Sequence, residues 1–321
     1  MAKQLFGTDG IRGVAGEYPL DPVTVFCFGQ ALGHWAAQHG TNPEVLIGRD
    51  TRESGEWIAE TVAAGLAEAG VRSRFAGLIT TPGVAYLTKR DDFVAGLMIS
   101  ASHNPYEDNG LKVFDHSGFK IPDEEEHRME EEILRRAEPN PEARRRKLEV
   151  DEGLDLEYLA FLESLFAGSL AGRRLVVDCA HGAATALGPE LFRRLGAEVI
   201  TTGCEPDGRN INAGVGALHT DHLAARVLAE GADAGVAFDG DADRAMFVSG
   251  SGKLIDGDQV LLIAGRHLQA TGHLPGSLVV ATVMSNLGLE VALRRSGIEM
   301  VRTPVGDKYV LEEMIRRQAP L

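Results

Sequence analysis

Apolar and polar positions follow the same order three times along the chain. Each copy has a β-branched apolar run, a turn of small residues, an amphipathic stretch, a glycine and a second apolar run. The copies occupy residues 44–78, 174–203 and 277–306. This order is typical of a βαβ unit, and a period of roughly one hundred residues is too long for a solenoid repeat. The pattern predicts an α/β protein with three tandem, related domains.

The first copy indicates how each unit is expected to be built. A strand begins at Glu44, and a second one is predicted at residues 74–78. Ser54 stands where a side chain caps a helix N-terminus, and Gly70 stands where a helix ends. A tight turn is predicted at residues 249–253, whose sequence is Ser-Gly-Ser-Gly-Lys.

A charge-dense segment, residues 123–149, separates the first copy from the second. Its first part has helical spacing with a thin apolar stripe, and two prolines then interrupt it; the residues are Met129, Ile133 and Leu134, followed by Pro139 and Pro141. We predict a solvated helix and a linker here. The domains are therefore expected at residues 1–150, 151–252 and 253–321. Because no closing strand follows the last helix, the third domain is expected to be incomplete.

Composition narrows the class of protein. The 321 residues are 44% hydrophobic and 25% charged, which indicates a globular chain with room for two or three domains. The 32 basic and 47 acidic residues give a net charge of −15, which argues against partners such as nucleic acid and anionic membranes. A phosphorylated ligand would also be repelled at long range, so any phosphate site must be locally basic.

The cysteines and the N-terminus bear on location. Cys27, Cys179 and Cys204 are far apart in sequence and form no Cys-x-x-Cys pair, which fits a reducing compartment. The first residues contain no apolar signal core, and the chain has no run of 18 apolar residues. A cytoplasmic protein without a membrane span is expected.

An acidic cluster follows a predicted strand in the stretch Gly-Val-Ala-Phe-Asp-Gly-Asp-Ala-Asp-Arg, residues 235–244. Asp239, Asp241 and Asp243 alternate, so an extended backbone would direct all three carboxylates to one face. Their mutual repulsion and all-oxygen chemistry favour a hard cation, Mg²⁺ or Ca²⁺. An EF-hand is excluded, because Arg244 stands where that loop needs glycine and Gly250 where it needs glutamate. A polar turn with incidental acids is the alternative.

A second polar loop follows the apolar run 96–99. Ser100, Ser102 and His103 stand at its start, and Lys112 follows shortly after. Acyl transfer by a Ser-His pair would call for a Gly-x-Ser-x-Gly turn, which Ser102 lacks. Phosphoryl transfer through a serine would call for a divalent cation and basic residues, and His103 and Lys112 are nearby. An ordinary serine-rich turn is the remaining alternative.

The third motif is Phe-Gly-Thr-Asp-Gly-Ile-Arg-Gly, residues 6–13. Its three glycines predict a flexible loop that holds Asp9 and Arg12 and lets the backbone approach a ligand. No strand precedes it and no Gly-Lys-Ser/Thr sequence follows, so it is neither a Rossmann nor a Walker loop. Taken alone, it is equally consistent with a structural turn.

The three motifs together resemble those of the α-D-phosphohexomutases, and among these the bacterial phosphoglucosamine mutases most. The resemblance extends along the whole chain through residues 109–112, 206–212 and 302–310. It implies a fold of four domains around one cleft, of which the first three are related α/β units. The family's sugar-contacting Gly-Glu-x-Ser-Gly loop and its fourth, phosphate-gripping domain are expected beyond Leu321.

The resemblance also implies roles for individual residues. Ser102 is similar to the phosphorylated nucleophile, and Asp239, Asp241 and Asp243 are similar to Mg²⁺ ligands that share the cation with the Ser102 phosphate. The basic surround of that phosphate is implied to be Arg12, His103, Lys112 and Arg244. The return of the phosphoryl group to serine needs a base, for which His103, Lys112 and a further family candidate expected beyond Leu321 stay open.

The implied reaction interconverts glucosamine 6-phosphate and glucosamine 1-phosphate through a glucosamine 1,6-bisphosphate intermediate and supplies UDP-N-acetylglucosamine and cell-wall precursor synthesis. The partner is then a phosphorylated hexosamine, with no nucleic acid or membrane, and a homodimer is one option for the oligomeric state. A phosphoglucomutase or phosphomannomutase of the same family is an alternative. A non-catalytic fragment that binds Mg²⁺ or a phosphosugar is another.

Overall fold

The computed structural model describes residues 5–7, 10–90, 93–137, 142–166 and 168–321. Two units are present, Met1–Lys253 and Leu254–Leu321. The strands are β1 (Phe6–Gly7), β2 (Gly10–Val14), β3 (Glu44–Arg49), β4 (Arg72–Leu78), β5 (Phe93–Ile99), β6 (Asp108–Asp115), β7 (Arg174–Asp178), β8 (Glu198–Thr202), β9 (Ala234–Phe238), β10 (Ala245–Ser249), β11 (Leu254–Ile255), β12 (Leu278–Thr282) and β13 (Glu299–Thr303). The helices are α1 (Pro22–His39), α2 (Gly55–Glu68), α3 (Thr81–Arg90), α4 (Asp123–Ala137), α5 (Gly153–Ser164), α6 (Leu187–Arg194), α7 (Thr220–Glu230), α8 (Gly257–Ala270), α9 (Leu287–Arg295) and α10 (Asp307–Arg317).

The first sheet of the larger unit has the strand order β1-β2-β6-β5-β3-β4. Strands β3, β4 and β5 are parallel, and β6 runs antiparallel between β5 and β2. One face packs against α1, α2 and α4, and the other packs against α3 and α5. Consecutive side chains of a strand point to opposite faces, so Val45 and Ile47 join the first core while Leu46 joins the second.

The second sheet contains β10-β9-β7-β8 in that order. Strands β7, β8 and β9 are parallel, and β10 is antiparallel to β9. Leu223 and Val227 of α7 pack on one face, and Phe192 of α6 packs on the other. The loops after β7 and β9 therefore leave the same edge, where α/β proteins usually carry their functional residues.

The smaller unit is a parallel pair, β12 and β13, between two helical layers. Helices α8 and α9 contribute leucines to one core, and α10 contributes Val310 and Met314 to the other. The three predicted βαβ units are thus confirmed, since each first strand is parallel to the second across its helix. Among the helices of the described residues, none has the length and apolar character that a bilayer-crossing segment requires.

Helix α2 ends as predicted but begins differently. Gly70 follows its C-terminus with a φ of 78°, a left-handed conformation that favours glycine. Ser54 makes no capping hydrogen bond, because its own backbone is already helical, and its Oγ accepts a bond from Asn109 Nδ2 at 2.8 Å instead. The hydroxyl therefore joins α2 to the start of β6.

Helix α4 is less solvated than its composition predicts. Met129 and Ile133 are buried, and the Glu130 carboxylate accepts hydrogen bonds from the backbone N–H groups of Leu5 and Phe6 at 2.7 and 3.0 Å. These bonds anchor the N-terminal hairpin to the helix. Pro139 and Pro141 lie outside the described residues.

The glycine-rich stretch is largely strand, not a flexible loop. Residues 10–13 belong to β2, and Arg12 pairs with Gly110 of β6. Gly10 has a φ of 83°, and a Cβ there would lie 2.1 Å from the Leu111 carbonyl oxygen, so glycine is needed for this approach. Asp9 lies outside the described residues.

Candidate active site

Ser102 lies in the loop that follows β5, and its backbone has an unusual, left-handed conformation. The residue has a φ of 53°, and its N–H donates to Ser100 Oγ at 2.9 Å. A non-glycine residue in this conformation costs roughly 1–2 kcal/mol, so the surrounding contacts must hold it there. Ser102 is only 2% exposed.

The three predicted metal ligands lie in the turn after β9. Their carboxylate oxygens come within 4.8 Å of one another. The convergence does not arise from the extended backbone that the alternating pattern suggested. The chain turns instead, with Ala242 N–H donating to the Asp239 carbonyl at 3.0 Å and Ala242 at a φ of 57°.

The structure brings Ser102 and this acidic turn together. Ser102 Oγ donates to Asp239 Oδ2 at 2.7 Å, although 137 residues separate them in sequence. Arg244 Nη2 donates to the same Ser102 Oγ at 2.8 Å. The hydroxyl thus lies between a carboxylate of the acidic turn and a guanidinium.

The other predicted basic residues lie at different distances from the Ser102 hydroxyl. Lys112, on β6, donates to Asp241 Oδ2 at 2.7 Å and lies 3.5 Å from Asp243 Oδ2. His103 Nδ1 lies 3.5 Å from Ser102 Oγ and contacts the Arg244 guanidinium. Arg12 is close enough to His103 to influence its pKa. Three basic side chains thus lie among the three carboxylates of the acidic turn in a protein that is acidic as a whole.

Burial and like charges shift the pKa values of the acidic turn upwards. Desolvation, followed by repulsion from Asp241, raises the pKa of Asp239. The same two causes raise the pKa of Asp243 to about 6, against an opposing effect of Lys112. Charge repulsion of this kind is relieved by a bound cation.

His103 is shifted in the opposite direction. Burial, followed by the positive charges of Arg244 and Arg12, lowers the pKa of its imidazole. A lowered pKa keeps the ring neutral at neutral pH, so it can accept a proton there.

The donor set of the acidic turn fits a hard cation. Three carboxylates and the Ser102 hydroxyl offer only oxygen atoms, which Mg²⁺ and Ca²⁺ prefer. Asp239 and Asp241 are buried, and Asp243 is more exposed. The group could therefore hold a metal ion at the Ser102 side chain.

Comparison with known proteins identifies the family. Profiles of phosphoglucomutase/phosphomannomutase alpha/beta/alpha domains I, II and III match residues 3–140, 156–252 and 256–321. A curated phosphoglucosamine mutase of Solibacter usitatus is 61% identical over all of this chain and 72% of its own length. The chain belongs to the phosphoglucomutase/phosphomannomutase family. It is a mutase, an intramolecular phosphotransferase.

Two further comparisons support this family assignment. A phosphoglucosamine mutase of Koribacter versatilis is 50% identical over 99% of this chain and 71% of its own length. The crystal structure of a phosphoglucomutase/phosphomannomutase family protein from Burkholderia thailandensis has a TM-score of 0.83 and 26% identity, and the match covers 99% of this chain and 69% of that one. The phosphohexomutase architecture expected from the motifs is confirmed for domains I to III.

The structure of this mutase adds residues that sequence reasoning missed. Thr81, the first residue of α3, donates from its hydroxyl to Asp241 Oδ2 at 2.5 Å and from its N–H to the Asp241 carbonyl at 2.9 Å. Arg52 and Asn212 both contact the loop of Ser102. The motif 206–212 contained Asn212, and the Thr80-Thr81 pair shortly after β4 was the available signal for Thr81.

Proposed function

We propose that this mutase interconverts glucosamine 6-phosphate and glucosamine 1-phosphate through a phosphorylated Ser102. The relatives named phosphoglucosamine mutase, at 46–61% identity, support the sugar. The observation that carries the chemistry is the position of the Ser102 hydroxyl, 2.7 Å from a carboxylate of the acidic turn and 2.8 Å from Arg244.

The proposed reaction has two transfers. In the first, the bond between phosphorus and Ser102 Oγ breaks and a bond from phosphorus to the sugar 1-oxygen forms. The sugar hydroxyl gives up its proton, and the released Ser102 Oγ takes one up. The resulting glucosamine 1,6-bisphosphate reorients. In the second, Ser102 Oγ attacks the 6-phosphoryl group, the serine proton leaves, and the released 6-oxygen is protonated. Positioning and charge stabilisation supply most of the catalysis in such transfers.

The basic residues are proposed to stabilise the negative charge of the transferring group. Arg244 already donates to Ser102 Oγ, so its guanidinium lies within reach of the oxygens of a phosphate on that atom. The positive charge of Arg12 acts on His103, and Lys112 pairs with Asp241 and Asp243.

His103 is proposed as the base of the second transfer. Two acceptors face the Ser102 hydroxyl, Asp239 at 2.7 Å and His103 Nδ1 at 3.5 Å. A carboxylate that holds a cation is a weak base, and Lys112 is engaged with two aspartates. Because Nδ1 accepts from the Arg244 guanidinium, the neutral imidazole must exchange that donor for the serine hydroxyl and approach it by a few tenths of an ångström to reach the range of about 2.6–3.2 Å for proton transfer.

Mg²⁺ is proposed as the cation of the acidic turn, held by Asp239, Asp241, Asp243 and an oxygen of Ser102 or its phosphate. When bound, it would neutralise charge on the transferring phosphoryl group.

The domain division at residues 150 and 252 is likewise a proposal, as are a cytoplasmic location and the absence of nucleic-acid partners. The homodimer stays an open option.

The affinity for Mg²⁺ is expected to fall as pH is lowered through about 6. The pKa of Asp243 is raised to about 6, so below that pH a proton competes with the cation for its carboxylate, and above it the ligand is free of the proton. The apparent association constant should be nearly constant above about pH 7 and lose about tenfold per pH unit below 6.

Calorimetric titration with Mg²⁺ across this pH range measures the effect. Asp243→Asn is the matched variant, and it should bind more weakly with a flatter pH dependence. A wild-type affinity that is unchanged down to about pH 5 would contradict a site built on Asp243.

The proposed substrate is tested by comparing glucosamine 6-phosphate, glucose 6-phosphate and mannose 6-phosphate under identical conditions. The highest kcat/KM is expected for glucosamine 6-phosphate. A preference for glucose or mannose would favour the phosphoglucomutase or phosphomannomutase alternative. Binding of Mg²⁺ without turnover of any sugar and without phosphate on Ser102 would favour the non-catalytic alternative.

A further inference from the structure

Two side chains hold the same two carbonyl oxygens beside the reactive serine, one from a loop of the first sheet and one from a loop of the second. Arg52 Nη2 donates to the carbonyls of Ser102 and Asn104 at 3.0 and 2.8 Å. Asn212 Nδ2 donates to the same two carbonyls at 2.9 and 3.2 Å. Each oxygen thus has one donor from the first sheet and one from the second.

Arg52 is held in place next to the first sheet. It follows β3, it is fully buried, and its Nε donates to Asp50 Oδ2 at 2.9 Å. Its Nη1 donates to the carbonyls of Asp108, at 3.0 Å, and Pro105. One guanidinium therefore fixes four carbonyls of the loop, which matches its planar set of five N–H donors.

Asn212 is the corresponding support on the second sheet. Its N–H donates to the carbonyl of Ala180, which lies just beyond β7, at 2.8 Å. It has a φ of 60°, which asparagine tolerates better than most residues. Its amide is thereby aimed from the second sheet at the loop of Ser102.

Gly240 sets how closely the two loops approach. It follows the metal ligand Asp239, and a Cβ added to it would lie 2.4 Å from the Ser102 carbonyl oxygen and 2.9 Å from Asn212 Nδ2. Glycine therefore lets the acidic turn pack directly on the carbonyl that Arg52 and Asn212 hold. The other end of that serine reaches Asp239 at 2.7 Å.

We propose that Arg52 and Asn212 are positioning residues for phosphoryl transfer, which hold the Ser102 carbonyl so that its hydroxyl meets the acidic turn. The proposal rests on the proposed function of Ser102. Neither residue touches the reacting atoms; both act through the backbone of the serine. A displacement of about 1 Å in a transfer of this kind can reduce the rate about 100-fold.

Asn212 gives the cleaner test of the two. If its amide is removed, both carbonyls keep their bond to the buried Arg52, so no buried acceptor is left without a donor. Asn212→Asp keeps the shape and the tolerance of a positive φ, but it places a carboxylate oxygen against two carbonyl oxygens. This repulsion is expected to push the loop of Ser102 away from residue 212, and thermal unfolding of the variant measures how much stability the change costs.

Asn210→Asp is a matched control, because it makes the same change two residues earlier in the same loop. Asn210 is half-buried and donates to the carbonyl of Glu205, and its Oδ1 accepts from the N–H of Asp207. Asn212→Gly serves as a second variant that keeps the left-handed conformation and removes the donor without adding charge.

The experiment follows phosphorylation of Ser102 by glucosamine 1,6-bisphosphate in single-turnover mode at saturating Mg²⁺. For Asn212→Asp we expect a 10- to 100-fold lower rate at saturating bisphosphate, with the half-saturating concentration changed less than about twofold. Asn212→Gly should fall between it and the wild type, and Asn210→Asp should match the wild type.

Three outcomes would overturn the proposal. Wild-type rates for both Asn212 variants would show that the hydrogen bonds of Asn212 to the Ser102 loop are not needed for phosphoryl transfer. A raised half-saturating concentration at an unchanged rate would assign Asn212 to ligand binding. No phosphate on Ser102 of the wild type would overturn the proposed function and the positioning role together. If Asn212→Asp fails to fold, the rate for Asn212→Gly decides.

Discussion

Replacing Ser102 with alanine is expected to abolish phosphoryl transfer, with a loss of at least about 10³-fold in turnover, or about 4 kcal/mol of transition-state stabilisation. The change removes the proposed attacking oxygen, and the nearby hydroxyl of Ser100 is buried and bonded to Asp50. The free energy of unfolding should fall by only about 0.5–1.5 kcal/mol, because Asp239 keeps its bonds to Arg244. Initial rates with glucosamine 6-phosphate and thermal unfolding measure the two effects.

Ser100→Ala is the matched control for Ser102→Ala, since it removes the same atom two residues earlier. Ser100 Oγ is buried, donates to Asp50 Oδ2 at 2.6 Å and accepts from the N–H of Ser102. Its loss should therefore lower stability more than Ser102→Ala does, yet leave measurable turnover. Near-normal turnover by Ser102→Ala would remove this serine as the nucleophile.

Replacing Arg52 with methionine should produce the largest loss of stability. The side chain is fully buried, pairs with the buried Asp50, and donates to four carbonyls. Removing one partner of a buried ion pair costs about 3–5 kcal/mol, because the other charge is left without compensation. Burial already raises the pKa of Asp50 despite Arg52, so the carboxylate depends on this partner.

Denaturant unfolding followed by tryptophan fluorescence measures this loss directly. The two tryptophans, Trp35 and Trp57, lie on α1 and α2, which pack on the sheet that carries Arg52. Arg74→Met is the control: Arg74 pairs with Glu44 at 2.7 Å but is 39% exposed, so its loss should cost less than about 1 kcal/mol. Equal losses for the two variants would contradict the role given to the buried arginine.

The sequence allowed prediction of the elements that depend on local patterning. Alternating and β-branched runs, small-residue turns and glycines after helices mark the three βαβ units, and each one is present. The polar residues at the ends of β5 and β9 indicated where Ser102 and Asp239 would lie. Their spacing of 137 residues carried no information about contact until the motifs were taken together.

The parts that could not be predicted depend on tertiary contacts. Arg52 follows a strand in a polar sequence, where a charged side chain is ordinarily exposed, yet it is fully buried. The antiparallel insertion of β6 between β2 and β5 buries Lys112 and carries it to Asp241. The turn that gathers the aspartates likewise depends on Ala242 in a left-handed conformation, which alternation of residues does not reveal.

The central claim is that Ser102 carries the phosphoryl group between sugars. Intact mass of the protein after incubation with glucosamine 1,6-bisphosphate and Mg²⁺, followed by mapping of the modified peptide, tests it most directly. We predict one added phosphate, located on Ser102 and lost on addition of glucosamine 6-phosphate. A phosphate on another residue, or an unmodified chain under conditions where the sugar phosphates interconvert, would contradict the account.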